Sequence, residues 1–413
     1  MRIAYLCTDF GVPIHGTKGA SIHVRGLSQA LADLGHQIVI FASRAGGAAP
    51  PGFSVPVREV PLDPVAASTC DMLRSDPAAG EAVAQALRSM LHVADLRHRV
   101  LPELDQFAPD LLYERYSLFG TAGLALARAL RRPLILEVNA PLADEHAAHR
   151  GLAFADAARG LERLALGSAD RLIAVSRELE SWLVGLGVPR HRISVHANGV
   201  DVARFAAPSG AVDEIRTRFG FGDTPVVGFL GTLKPWHGTK TLVRAAAMIH
   251  RQGLTSCLLF VGDGPQRGQL EALAASEGIA DATFFTGAVP HELVPAYLAA
   301  MTVAVAPYDH AERFYSSPLK LYEYMAAGLP VVAADVGAVG ECVRHGATGW
   351  LYPPGDVAAL AHSITALVER PTLAASLGRA AREHVRRHHT WQGNARAVVA
   401  CADEILQVAS ERE

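Results

Sequence analysis

The chain has 413 residues, more than one hydrophobic core usually serves, so two domains are the default expectation. Half of the residues are apolar and 19% are charged, which excludes a disordered chain and suits large buried parallel sheets. A formal net charge of −3 offers no broad attraction to nucleic acid or to anionic lipid.

Cys7, Cys70, Cys257, Cys342 and Cys401 are scattered, without the paired spacing of a metal site or a disulfide framework, so a reducing cytoplasm is expected. Cys7 and Cys257 fall in apolar strand patterns and read as small core residues. Residues 1–7 run directly into a strand pattern rather than a basic and apolar leader, and no apolar run reaches about 18 residues. Neither a signal peptide nor a spanning helix is therefore expected. The only lysines are Lys18, Lys234, Lys240 and Lys320, and three of them fall in candidate phosphate loops.

In chain order, residues 3–7 read as a strand, 8–19 as a loop rich in Gly and Pro, and about 20–34 as a helix with Val24, Leu27, Leu31 and Leu34 on one face. Strand patterns recur at 37–42, 111–116, 134–138 and 171–175, which makes a doubly wound arrangement. Between 63 and 107 an Ala-rich, polar stretch reads as one or two inserted helices, the kind of insertion that often builds a binding surface. Gly, Pro and Ser interrupt the pattern over 198–222, the expected inter-domain connection. A second set follows: strand 226–230, loop 231–238, helix from Thr239, strand 257–261, loop 262–265, helix from Gln266, and strands near Thr283 and Val303. The last helix, about 391–408, carries Val398, Cys401 and Ile405 on one stripe and is expected to pack back on the first domain.

The stretch 316–335, SSPLKLYEYMAAGLPVVAAD, reads as an anion-binding helix start. Ser317 suits an N-cap and Pro318 the first helical position, where a missing N–H costs nothing. The next backbone N–H groups belong to Leu319 and Lys320, and the helix dipole adds to the Lys320 charge, so together they would hold a phosphate. Glu323, three residues on and on the same side, is placed to accept from a pair of sugar hydroxyls. That combination fits a nucleotide-sugar. Gly328 ends the helix, Pro330 blocks its continuation, and 331–334 reads as a buried strand. Taken alone, the segment favours an ordinary capped helix in an αβ unit.

Five motifs in order change that balance: NGVD at 198–201, FLGTLKPWHG at 229–238, VGDGP at 261–265, FTG at 285–287 and SPLKLYEYMAAGLPVV at 317–332. The set resembles the retaining glycosyltransferases of family 4. GTKGASIHV, LGHQIVIFA and AVSRELESWL around Ser176 resemble that family's first domain, so the likeness spans nearly the whole chain. It implies an α/β GT-B architecture, two doubly wound Rossmann-like domains facing across a cleft. Residues 1–200, with the C-terminal helix 390–413, would form the acceptor-binding domain, and 201–389 the nucleotide-sugar donor-binding domain.

The resemblance also implies roles. Gly19 precedes a helix N-terminus where backbone can approach the donor's diphosphate or sugar, although a tight turn would also use it. Gly231 and Lys234 lie in the loop that faces the diphosphate. Thr232 and His237 stand where the family commonly has Arg and Lys, so Lys234 and Lys320 are expected to carry the positive charge that the departing diphosphate needs. A plain loop histidine beside Trp236 accounts for His237 equally well. Gly262, Asp263 and Gly264 permit close approach of base or ribose, or simply form a turn. The segment ending at Val289 would read the base through main-chain groups. Glu323 matches the second acid of the E-x7-E motif, on the ribose, while Tyr315 occupies the place of the first, as in SPLK-type members that lack it. Asp309, His310 and Glu312 read as a solvated loop rather than a metal site, and no cofactor beyond the nucleotide-sugar substrate is implied.

In the first domain, Asn139 stands where the family often has a His, with Glu137 and Glu145 nearby. Arg115 and Glu114, at the end of strand LLYERY, are expected to point to the cleft, and Arg115, Asn139 and Glu145 are the acceptor-binding candidates; structural ion pairing explains Arg115 as readily. A same-face retaining reaction needs little from a base, because the leaving phosphate oxygen can take the acceptor's proton. Lys234, Lys320 and Glu323 are the groups expected to act in catalysis, through positioning and charge.

The expectation is a cytoplasmic, metal-independent glycosyltransferase moving a sugar from a UDP-sugar, or a GDP-sugar, to a hydroxyl of a small molecule or glycan, with retention. Arg88, Arg97, His98 and Arg99 are interspersed with acids, so at most peripheral membrane contact is expected; a homodimer is allowed, a nucleic-acid partner is not. Two other readings stay open. One is a nucleotide-sugar epimerase of the same architecture, against which NGVD and SPLK argue. The other is a non-catalytic, two-lobed sugar-binding protein.

Overall fold

The computed structural model describes residues 1–76, 80–149, 151–206, 210–309, 315 and 317–410, the last three of these by backbone alone. Two compact units divide the chain: Met1–Ala197 with Trp391–Glu413, and Asn198–Thr390.

The first unit contains β1 (Arg2–Cys7), α1 (Gly19–Asp33), β2 (Gln37–Ala42), β3 (Val57–Glu59), α2 (Pro64–Ser75), α3 (Gly80–Phe107), β4 (Leu111–Arg115), α4 (Ala122–Leu130), β5 (Leu134–Val138), α5 (Leu142–His149), α6 (Ala155–Ser168), β6 (Arg171–Ala174), α7 (Arg177–Gly185) and β7 (Ile193–Val195). All seven strands are parallel, in the order β3-β2-β1-β4-β5-β6-β7. Central strands such as LILEV are buried on both faces, which is why they read as unbroken apolar runs rather than as alternating ones. The edge strands β3 and β7, of three residues each, carry too few positions to show a period and escaped the sequence reading. The insertion predicted between 63 and 107 forms α2 and α3, with the Asp63 side chain capping α2 by accepting from the Val65 and Ala66 N–H groups.

The second unit contains α8 (Ala211–Arg218), β8 (Val226–Leu230), α9 (Thr239–Arg251), β9 (Cys257–Val261), α10 (Arg267–Ser276), β10 (Thr283–Phe285), α11 (Val294–Ala299), β11 (Val303–Ala306), α12 (Leu319–Ala326), β12 (Val331–Ala334), α13 (Ala338–Cys342), β13 (Trp350–Tyr352), α14 (Val357–Val368) and α15 (Pro371–His388). Its six parallel strands run β10-β9-β8-β11-β12-β13. Most strands of this unit match their predicted spans; α13, β13, α14 and α15 follow the last motif and were not foreseen. The expected connection over 198–222 holds a short helix, α8, within the second unit.

The chain ends in α16 (Trp391–Ser410), which belongs to the first unit and packs on α1. The fit is close at Gly26, where an added Cβ would come within 2.4 Å of the Trp391 ring, so only glycine admits the indole. Ala395, Val398, Cys401 and Ala402 complete the buried stripe of α16.

Each sheet has one place where the strand order reverses, between β1 and β4 in the first and between β8 and β11 in the second. Parallel α/β sheets bind ligands outside the strand C-termini at such points. None of the described helices is long and apolar enough to cross a membrane.

Candidate functional site

In the second unit, α12 is fastened at the reversal point. Tyr324 Oη accepts from the Leu230 N–H at the end of β8 (2.7 Å) and donates to the Val305 carbonyl of β11 (3.3 Å), bridging the strands that diverge there. The helix begins at Leu319, with Pro318 in the cap position and no side-chain cap. This corrects the sequence reading of Ser317 as N-cap. The buried Ser317 hydroxyl instead accepts from the Asn198 N–H (2.9 Å) and lies 3.0 Å from Tyr322 Oη, while the Asn198 amide donates to the Ser317 carbonyl. A hydroxyl engaged inside the unit is not available to cap. Gly328, at φ +74°, ends the helix as expected.

Leu319 is half-buried at the helix start, and Lys320 turns inward. The Lys320 ammonium lies 4.0 Å from the Phe229 ring centroid and 5.6 Å from that of Tyr308, with no hydrogen-bond partner among the described residues. An unpaired buried charge is disfavoured even over an aromatic face, and burial pulls the Lys320 ammonium down to about 7, the Glu323 carboxylate opposing the shift. The charged form is therefore held there at a cost in desolvation.

Three glycines from two loops pack together beside that ammonium. Gly231 lies so near that an added Cβ would stand 3.1 Å from Lys320 Nζ. Gly262, at φ +137°, has no room for a Cβ, which would meet the Gly231 carbonyl at 2.2 Å. Gly264 is pressed in the same way on Leu233 backbone. The close approach that the sequence assigned to a base or ribose at Gly262 and Gly264 is thus made, on the side chain's own side, by the neighbouring loop.

His237 Nδ1 stands 2.5 Å from the Thr232 carbonyl, a geometry in which the ring donates there. Burial, then the Lys320 and Lys234 charges, push its imidazole down to about 3, so it is neutral and adds no positive charge. Lys234 is half-buried, with its ammonium 5.6 Å from the centroid of the exposed Trp236 ring. Val289, half-buried, lies in the loop after β10.

Glu323 is buried one turn after Lys320, and its Oε1 lies 2.8 Å from His291 Nε2. Sequence reasoning missed His291: no periodicity links it to Glu323, and its signal is only its place shortly after the FTG motif. Tyr324, Phe229 and Tyr308 were missed too, because their roles depend on packing. Among the described residues no three His, Cys, Asp or Glu side chains are placed to share a metal ion. His310 and Glu312 lie outside the described residues; Asp309 has one buried carboxylate oxygen without a partner among the described residues.

In the first unit, Gly19 is exposed as the first residue of α1, whose cap position offers no side-chain bond. Beneath that helix, Glu137 accepts from Tyr113, from Arg115 (3.0 Å) and from Asn139 (2.6 Å), and pairs with His23 Nε2 at 2.8 Å. Burial raises this carboxyl, but the partners outweigh it, led by His23 and Arg115, and hold it far below the usual carboxylate range. Arg115 and Asn139 are therefore parts of an internal network. Glu145, half-buried, lies on α5.

Glu114 does not share the Arg115 side of the sheet, contrary to the sequence expectation. Neighbouring strand residues face opposite ways, and Glu114 is buried against α4, where the Gly123 N–H bonds it. Desolvation pushes its carboxyl up to about 7.

The comparisons with known proteins agree with this organisation. The family described as Glycosyltransferase Family 4 matches residues 17–204, and Glycosyl transferases group 1 matches 224–370. A GDP-mannose-dependent alpha-(1-6)-phosphatidylinositol monomannoside mannosyltransferase of Mycolicibacterium smegmatis is 31% identical over 279 residues, 65% of this chain and 72% of that protein. The chain belongs to glycosyltransferase family 4. Within this family, a 2-deoxystreptamine glucosyltransferase of Streptomyces kanamyceticus is 33% identical over 226 residues, 54% of this chain and 57% of the relative. The chain thus spans just over half the length of that relative. Among solved structures, HepE of Anabaena in complex with UDP-glucose superposes with a TM-score of 0.73 over the whole of both chains at 21% identity. That likeness carries the fold, the GT-B class of two Rossmann-like units.

Proposed function

We propose that this family 4 glycosyltransferase moves a sugar from a UDP-sugar, with a GDP-sugar as the alternative, to a hydroxyl of a small polar molecule or glycan, with retention and without a metal ion. The observation that carries the donor assignment is the buried Lys320 ammonium at the start of α12, without a hydrogen-bond partner among the described residues and one turn before the Glu323 carboxylate. A diphosphate there would neutralise the ammonium while a ribose diol bonds to Glu323. Lys234 would supply the second positive charge, and Gly231, Leu319, Gly262, Gly264, His237, Val289 and Ser317 would shape the surrounding walls. The donor half is assigned to residues 201–389, and the acceptor half, with Gly19, Arg115, Asn139 and Glu145, to 1–200 with 390–413.

Catalysis in this reading is positioning and charge. As the sugar–phosphate bond lengthens, Lys320 and Lys234 stabilise the growing negative charge, and the departing phosphate oxygen accepts the proton of the attacking hydroxyl on the same face. Tyr315 in place of an acid leaves that route dependent on the lysines. Support for the UDP and GDP alternatives comes from relatives named for GDP-mannose and solved with UDP-glucose. A thermal-shift panel of UDP, GDP, ADP and TDP, followed by donor hydrolysis with sugars of the winning nucleotide, tests it. Stabilisation follows mass action, so ligand at about 100 times its Kd contributes about 2.7 kcal/mol. No response to any of the four would refute the donor assignment.

A further inference from the structure

Lys320 and Glu323 stand three positions apart on α12, the spacing at which a helix usually pairs opposite charges, yet the Lys320 ammonium has no hydrogen-bond partner among the described residues. Glu323 is held elsewhere: its Oε1 bonds His291 Nε2 at 2.8 Å, with the two side chains 8% and 11% exposed. His291 starts the short turn after β10 and is itself confined, with the Phe205 ring edge-on at 6.3 Å.

We propose that His291 is a positioning residue for nucleotide recognition: it draws Glu323 away from Lys320 and fixes its second oxygen, Oε2, as the acceptor for the ribose hydroxyls. The inference rests on the ribose reading of Glu323. Two opposite charges one helical turn apart would otherwise satisfy each other, and neither would remain for a ligand. With His291 in place, the carboxylate serves the diol and the ammonium serves the diphosphate. A histidine that merely filled space would leave the choice between ribose and deoxyribose unaffected.

The test is calorimetric titration of the full chain with UDP and with 2′,3′-dideoxy-UDP, for wild type, His291→Ala, His291→Gln and Glu323→Gln. Hydrogen bonds to a charged group predict a wild-type preference for UDP on the order of 10-fold to 100-fold. His291→Ala is expected to bring the preference within about threefold and to weaken both ligands, as Glu323 swings to Lys320. His291→Gln, whose amide N–H donates to the same oxygen, is expected to restore most of it. His291→Phe, which keeps the packing on Phe205 without a donor, replaces the alanine variant if that one does not fold. An unchanged preference in His291→Ala or His291→Phe, with loss in Glu323→Gln, overturns the proposal alone. An unchanged preference in Glu323→Gln, or none in the wild type, overturns the ribose reading with it.

Discussion

Replacing Lys320 by Met removes one charge and keeps the apolar stem on Phe229, so it separates the electrostatic role of this residue from its packing. Burial lowers the ammonium from 10.5 to about 7. At about 1.4 kcal/mol per pH unit, this makes the unliganded residue a folding penalty on the order of 4 kcal/mol at pH 7.5. Below pH 7 the ammonium is charged in both folded and unfolded chains, and the penalty is complete. As pH rises above 7 the folded protein sheds the proton first, and the penalty shrinks until it is gone near pH 10.5. Lys320→Met is therefore expected to raise the melting temperature of the ligand-free protein at pH 7.5 by roughly 8–16 °C, at about 2–4 °C per kcal/mol, and by only about 2–3 °C at pH 10. UDP is expected to stabilise the wild type and to have no such effect on the variant. Scanning calorimetry at the two pH values, with and without UDP, reads all of this. An unchanged or lower melting temperature at pH 7.5 would refute the reasoning, because the ammonium would then carry no uncompensated desolvation.

Three other outcomes are expected. Glu323→Gln should weaken nucleotide binding by about 1–3 kcal/mol, measured by titration with UDP and GDP, and unchanged affinity for both would remove Glu323 from the site. Lys234→Ala should lower kcat more than it weakens uridine binding, because its charge matters most as the diphosphate departs; an equal loss for uridine and UDP would contradict a phosphate role. Glu114, pushed up to about 7, keeps its proton in the folded state over a range where the unfolded chain has lost it. Its contribution makes stability fall as pH rises from 4.5 to 7, so Glu114→Gln, which retains the bond from the Gly123 N–H, should stabilise the protein on the order of 3 kcal/mol at pH 8 and hardly at all at pH 4.5. Denaturant titrations at both pH values decide it.

Much of this protein is written locally. Alternating apolar strands and amphipathic helices give two doubly wound units because each pattern needs only its own period, and Gly328 with Pro330 marks a helix end without reference to anything distant. The helix start carrying Lys320 and Glu323 was legible for the same reason, as were the family motifs. Strand alternation alone puts Glu114 and Arg115 on opposite faces, a local signal that the expectation of both at the cleft passed over.

Tertiary structure decided the rest, through burial and through contacts between segments far apart in the chain. Ser317 looks like a cap until Asn198 and Tyr322 engage its hydroxyl. His237 looks like a substitute cation until burial beside two lysines makes it neutral. The Gly262 loop looks open to a ligand until the Gly231 carbonyl fills the space. Glu323 has its partner in His291, 32 positions away. Residue types and their spacing determined which groups were present at the helix start. Their charge and availability depend on desolvation, which exists only once β8, β11 and the loops between them have closed around Lys320.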